Sequence, residues 1–446
     1  MQFLDRHCGD REDATHYLGF TTLRPLASAP VGRTVMRAPR GRNHSYATVS
    51  DKVSTKLAGA QLKTDAAPFI QQDSAVGACA QAAMWMAMNA LSRRHRKEPK
   101  TLADITRVAT ATMIAGRVLP SRDGLSQQQI ARALHEFGYH GHSIPLVSKE
   151  GGGLPKGLHV GTRADNVADQ RLGFIRASIH PYLESGVPVI LAVRKPGEEG
   201  HAILLIGYSW DASPTNTSPL IWWQAEHAPS IHFASPATWV EGFMAHDDSA
   251  GPYASVARRG TRYTLEDAQL AFPVLHQLVH MTAAEALSAG CSKLDILIRD
   301  LRSQQELVVT GLAACLLVRP LLQQRHEFRR WAARRCTGEL ALRYRTMFLP
   351  EYLWVLELHA QDAYRDALSK QLEPLRLGEM LIDATGDPLA SPIVSVHLNN
   401  SAIRRHASRA GVLLDYTTDE NKVVLVYLQD DDPVPSIALH SAVWSV

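Results

Sequence analysis

Residues 71–92 read QQDSAVGACAQAAMWMAMNALS, and the reading of this stretch decides the rest of the chain. From Cys79 to Ser92 there is neither Gly nor Pro, Ala and Met dominate, and the run passes into the basic segment Arg93–Lys97. High helix propensity with positive charge at the far end predicts a helix over 79–92, with Cys79 at its start. A cysteine there has a chemical meaning. Thiolate, not thiol, is the nucleophile, and the unpaired N–H groups and dipole of a helix N-terminus favour negative charge. The polar run 71–78 in front of it can offer a Gln amide and a backbone N–H to a developing oxyanion. The plain alternative is a small buried hydrophobe, because free cysteine is among the most buried residue types.

A thiolate nucleophile needs a proton acceptor, normally an imidazole close enough to form an ion pair. Of the 20 histidines, His201 stands out by context: it follows the turn Lys195–Gly200 and precedes the strand-like run AILLIGY. A solvated histidine beside a turn is the competing reading. The third member of such a set orients the ring by accepting its N–H. Asp247 ends the apolar run from Phe243 and begins the turn-forming string Asp247-Asp248-Ser249-Ala250-Gly251, where two aspartates can also simply shape the turn. Strand alternation puts Phe243, Ala245 and Asp247 on an inward face. His246 and Asp248 are then expected to point outward, with Asp248 forming an Asx-turn ahead of Gly251.

The chain has 446 residues, enough for two to four domains, and 45% hydrophobic against 20% charged residues is ordinary for a folded globular protein. Forty-seven Lys+Arg against 44 Asp+Glu leave a formal charge of +3, too little to imply nucleic acid or a membrane as a partner through bulk electrostatics. Five cysteines, at 8, 79, 291, 315 and 336, form an odd set without a C-x-x-C pair, which argues against a disulfide framework and a thiolate zinc site and suggests a reducing, cytoplasmic setting. No run approaches the roughly 20 apolar residues of a membrane span, and the N-terminal MQFLDRHCGDRED carries charge where a signal peptide needs an apolar region.

Outward from the helix, residues 17–64 are turn-rich with short β-like runs and read as a strand-rich lead-in. Ser126 with Gln129 is a capping-box pattern, and Ile130, Leu134 and Phe137 recur at helical spacing until Gly138 stops them. The glycine-rich segment Gly151–Gln170 reads as a surface loop and not as a domain boundary. Val187–Val193 and Ala202–Tyr208 read as neighbouring strands. The turn string at 246–253 places the first boundary near residue 260. Beyond it, β-like runs (Leu270–Leu278, Ala313–Val318, Tyr352–Leu358, Ile393–Leu398, Val423–Leu428) alternate with helical ones (Ala283–Arg302, Gln323–Ala333, Gln361–Gln371), as in one α/β domain.

Five pieces now stand in order: QQDSAVGACAQAAM, Gly124-Leu125-Ser126 with Phe137-Gly138, Gly186-Val187-Pro188-Val189-Ile190, Gly200-His201, and His246-Asp247-Asp248-Ser249-Ala250-Gly251. This order resembles the papain-like cysteine peptidases. It is most similar to the double-glycine leader peptidases, the peptidase domains of bacteriocin exporters, and their stand-alone bacterial relatives. Gln72 lies seven residues before Cys79 where that group shows six, Ala80 replaces the usual Gly, and the 45 residues between His201 and Asp247 require an inserted hairpin around 209–239. The resemblance implies an α+β fold: a lead-in at 1–64, a papain-like peptidase domain at 65–260, and a separate α/β domain at 261–446. It implies a Cys79–His201–Asp247 triad with Gln72 at the oxyanion, and Asp248 or Asp211 as the rival orienting residues. No metal or organic cofactor is implied; the partner is a peptide or protein substrate, with the C-terminal domain as a further protein-recognition surface.

Two other readings use the same residues. A papain-fold acyltransferase or transglutaminase-like enzyme shares the acyl-enzyme and passes it to an amine instead of water. A papain-like binding module would have no reactive thiol, and Cys79 would then alkylate no faster than Cys8, Cys291, Cys315 or Cys336.

Overall fold

The structure, a computed structural model, describes residues 17–39, 45–57, 60–72, 77–111, 124–147, 158–160, 167–210, 221–224, 232–258, 262–303, 315–370, 374, 376–386, 392–399, 413–417 and 423–429. The fold is mixed α/β and forms two compact units, neither continuous in sequence. The first takes the described residues up to Val147 with Gly186–Trp210 and Glu241–Gln277; the second takes those within Ser148–Ser185, Asp211–Val240 and Leu278–Val446.

The first unit is built around the expected helix, which spans Cys79–Ser92. Twelve of its 14 residues are buried, the behaviour of a helix that is apolar all round. It packs on the strands Val189–Val193 and His201–Trp210. These pair antiparallel, Val189 opposite Leu205 and Val193 opposite His201, so His201 sits at the strand's beginning. The sheet runs in the order Gly251–Ala257, Val240–Asp247, His201–Trp210, Val189–Val193, Ala268–Leu275, His140–Gly141. Ser45–Ala47 adds to His201–Trp210 at Gly207, where a Cβ would come within 2.0 Å of the Tyr46 carbonyl oxygen. The second helix spans Gln127–Glu136, its capping box made by Ser126 and Gln129, and it stops at Gly138 with φ +72°.

Three expectations about division change. Strand Ala268–Leu275 lies beyond the expected boundary near 260, yet it pairs along Val189–Val193 in the first unit's sheet. The lead-in is not separate, because Ser45–Ala47 and the strands Val31–Met36 and Pro68–Phe69 belong to the same unit. The stretch after Val147, expected to be a loop within one domain, leads into the second unit with strand Leu158–Val160 and helix Val167–Glu184.

The second unit carries a nine-stranded sheet ordered Leu413–Thr417, Val423–Gln429, Ile393–Asn399, Arg376–Asp383, Tyr352–Ala360, Cys315–Gln324, His232–Ala234, Ile221–Gln224, Leu158–Val160. The inserted hairpin is present as Ile221–Gln224 paired with His232–Ala234, but it extends this second sheet. Across the sheet Arg319, Glu357, Glu379 and His397 stand opposite one another in register, a row of charged and polar groups in the interior. Among the described residues no helix is long and apolar enough to cross a membrane.

Candidate functional site

His201 and Asp247 meet because their strands are neighbours in the first sheet, with Ser209 beside Gly242 at one end and His201 beside Asp247 at the other. The His201 Nε2–H donates to Asp247 Oδ1 at 2.9 Å, with the ring 11% and the carboxylate 4% exposed. The same Asp247 oxygen accepts the Ser249 backbone N–H at 3.0 Å and the Ser249 hydroxyl at 2.7 Å. Asp247 therefore makes the Asx-turn expected of Asp248 while it holds the imidazole. Tyr263 stacks on the His201 ring, centroids 5.5 Å apart and planes 22° from parallel.

The Cys79 thiol lies near enough to the His201 imidazole to raise its pKa. It is half-buried and free, and no side chain caps the helix at Ala78 in front of it. The sulfur is not among the atoms gathered around the carboxylates. Gly124 approaches the carbonyl of Gly77, two residues before the cysteine, bringing the Gly124-Leu125-Ser126 string to the same place.

The charges follow from this arrangement. Burial disfavours the charged His201 ring, but the hydrogen bond to Asp247, the bond and charge of Cys79 and the charge of Asp248 together carry it up to about 10. Burial likewise works against the Asp247 carboxylate, and His201 with the two Ser249 donors brings it down to about 2. At neutral pH the imidazolium and carboxylate are thus both charged. For Asp248 burial wins, with Asp247's charge added and His201 opposing, and its carboxyl rises to about 6. Burial pushes the Cys336 thiol up to about 12 and raises that of Cys291 as well.

The outward orientation expected for His246 and Asp248 is wrong. His246 is 0% and Asp248 1% exposed. The pairing with Gly251–Ala257 slips between Ala245 and Asp247, and this bulge breaks the alternation on which the expectation rested. His246 Nδ1 accepts the Tyr253 backbone N–H at 3.3 Å, and its Nε2–H donates to the Ala67 carbonyl at 3.3 Å. Burial lowers its pKa to about 4, so it is a neutral structural residue. Asp248 Oδ1 lies 3.3 Å from His201 Nε2, making it a second carboxylate on the same nitrogen. His201 Nε2 and one oxygen each of Asp247 and Asp248 lie within 4.8 Å of one another, a set able to hold a metal ion.

Gln72 is half-buried, and its Oε1 is buried without a hydrogen-bond partner. Its neighbour Gln71 is tied to Val31 N and, through its carbonyl, to Arg24. The oxyanion role of Gln72 rests on the sequence alone, and Asp211 lies outside the described residues. Ser249 and Tyr263 are the site residues the sequence reading missed. Ser249 had a signal, since a serine two residues after an aspartate at a turn is an Asx-turn pattern; Tyr263 had none. No protein-family model, curated protein or solved structure matches this chain.

Proposed function

We propose that the chain is a cysteine peptidase of papain-like organisation, cleaving a peptide or isopeptide bond through Cys79, His201 and Asp247. The observation that carries the reading is the His201 Nε2 bond to Asp247 at 2.9 Å, with the Cys79 thiol near enough to the same ring to raise its pKa. A buried imidazole held protonated up to about 10 is a suitable counter-ion for a thiolate, and an ionised Asp247 fixes its orientation. In the reaction the Cys79 thiolate attacks the carbonyl carbon. The oxyanion is met by the Cys79 backbone N–H and the Gln72 amide. His201 gives its proton to the leaving amine as the C–N bond breaks, leaving a thioester. It then takes a proton from the water that hydrolyses the thioester and restores the thiolate–imidazolium pair. The helix that carries Cys79, seated on an antiparallel sheet whose strand begins at His201, supports the papain-like assignment.

The test uses the full chain, a degenerate peptide library and mass spectrometry. Wild type is expected to cleave a subset of the library, Cys79→Ala and His201→Ala to cleave none, and iodoacetamide at pH 6 to label Cys79 at least tenfold faster than Cys291 or Cys336. Cleavage that survives Cys79→Ala, or labelling of Cys79 that is unchanged by His201→Ala, would overturn the proposal.

A further inference from the structure

We infer that His201, Asp247 and Asp248 form a binding site for a single zinc-class divalent cation, and that this cation switches the site off by occupying the His201 Nε2 through which Asp247 orients the ring. The binding rests on the geometry of the three side chains; only its inhibitory consequence rests on the peptidase reading.

An acidic pair on a turn is not by itself a metal site, but Asp248 is more than half of such a pair. It is 1% exposed, and neither of its oxygens is given a hydrogen bond by another residue. A buried carboxylate is ordinarily held by donors, and leaving it without them is costly. Asp247 has three donors, from His201 and from Ser249 twice, whereas no other residue gives Asp248 a hydrogen bond: it has the shared nitrogen at 3.3 Å, its own backbone N–H and the more distant charge of Arg262. Orientation of the imidazole is complete with Asp247 alone, so the second carboxylate on the same nitrogen needs another reason. A cation bound between the two would supply it.

The donor set limits which cation fits. One imidazole nitrogen and two carboxylate oxygens within 4.8 Å of one another match a four-coordinate, borderline-soft ion with one position left for water. Magnesium, which prefers oxygen ligands and octahedral geometry, is a poor match. Ser249 remains hydrogen-bonded to Asp247, the kind of outer contact that keeps a ligating carboxylate in place. A cation on Nε2 takes the place of the Asp247 hydrogen bond that orients the ring, so the imidazole is no longer held for proton transfer and turnover stops.

The experiment is a calorimetric titration of zinc chloride into the full chain at pH 7, with magnesium chloride as control. Wild type is expected to take one tight zinc equivalent and no comparable magnesium. Asp248→Asn and His201→Gln should each weaken that step at least tenfold, while Cys79→Ala should keep it within threefold. Cobalt bound in place of zinc should lack the intense thiolate-to-metal absorption of a sulfur ligand, a readout in wild type that needs no variant to fold. Unchanged affinity in folded Asp248→Asn, or a strong thiolate band, would overturn the inference. Loss of the zinc step with library cleavage intact in zinc-free buffer refutes this site and spares the peptidase; an intact zinc step with no Cys79-dependent cleavage does the reverse.

Discussion

Lowering the pH from 7 to 5 should weaken the first unit through His246, a residue that takes no part in the proposed chemistry. Both ring nitrogens are already used, one accepting from Tyr253 and one donating to Ala67, and Phe69 and Tyr253 meet the ring edge-on. A second proton has no acceptor, and burial sets the folded pKa at about 4 against roughly 6.5 for an unfolded histidine. Between those values the unfolded chain binds more protons, so His246 contributes its full stability above about 6.5 and loses it as pH falls toward 4. At pH 5 the loss is about 1.5 pH units, or about 2 kcal/mol. His201 and Asp248 act in the opposite sense, because their folded pKa values are raised to about 10 and about 6, so the folded state binds more protons than the unfolded chain and is stabilised on acidification. Together they offset about 2 kcal/mol over the same interval, leaving wild type nearly flat. The perturbation is therefore His246→Gln, whose amide can replace both hydrogen bonds without titrating. Native-state amide exchange in Val189–Val193 and His201–Trp210, corrected for intrinsic rates, reads the stability of this unit. Relative to wild type, the variant should gain about 2 kcal/mol on going from pH 7 to pH 5. Equal pH responses within about 0.5 kcal/mol, or a His246 ring seen by NMR to titrate above pH 6, would refute the reasoning.

Asp247→Asn should slow iodoacetamide labelling of Cys79 and library cleavage strongly, by about 10²–10⁴-fold by analogy with orienting carboxylates elsewhere, while Asp248→Asn in zinc-free buffer slows them less than tenfold. The reverse order would move the orienting role to Asp248. Ser126→Ala removes the hydroxyl that accepts the Gln129 backbone N–H, leaving the reciprocal bond from the Ser126 backbone N–H, and should cost about 1 kcal/mol in amide-exchange stability of helix Gln127–Glu136; no change would mean that the cap is redundant.

Local signals in the sequence were read well where they were complete. The helix over 79–92 is bounded by glycine before it and a basic run after it, and the helix from 127 by its capping box and Gly138. Strand Arg376–Asp383 is not among the runs the sequence marks as β-like, and it carries charges in its interior. Arg376 is 1% and Glu379 0% exposed; they pair with each other at 3.4 Å and with Glu357 and His397 of other strands at 3.5 Å and 3.1 Å. The cross-strand half of that neutralisation has no local signature. The division of the chain failed for a similar reason. Ala268–Leu275 was legible as a strand, but nothing within it says that its partner is Val189–Val193. At the site, the order of the five strings put Cys79, His201 and Asp247 forward, while the bulge that turns His246 and Asp248 inward depends on cross-strand register and was invisible.

The late return of Ala268–Leu275 has a consequence for how the protein is made. Until that strand is synthesised, one edge of Val189–Val193 has no partner, and it remains so while about 80 further residues are translated. At roughly 5–20 residues per second this is about 4–16 s on the ribosome. An unpaired apolar strand edge is a template for wrong pairing, so this interval is when a nascent chain would aggregate or engage a chaperone. The strand beginning at His201 lies next in the same sheet. The helix that carries Cys79, packed on these two strands, would thus stay without a finished scaffold until the first unit's last strand emerges, so the site forms only late in translation.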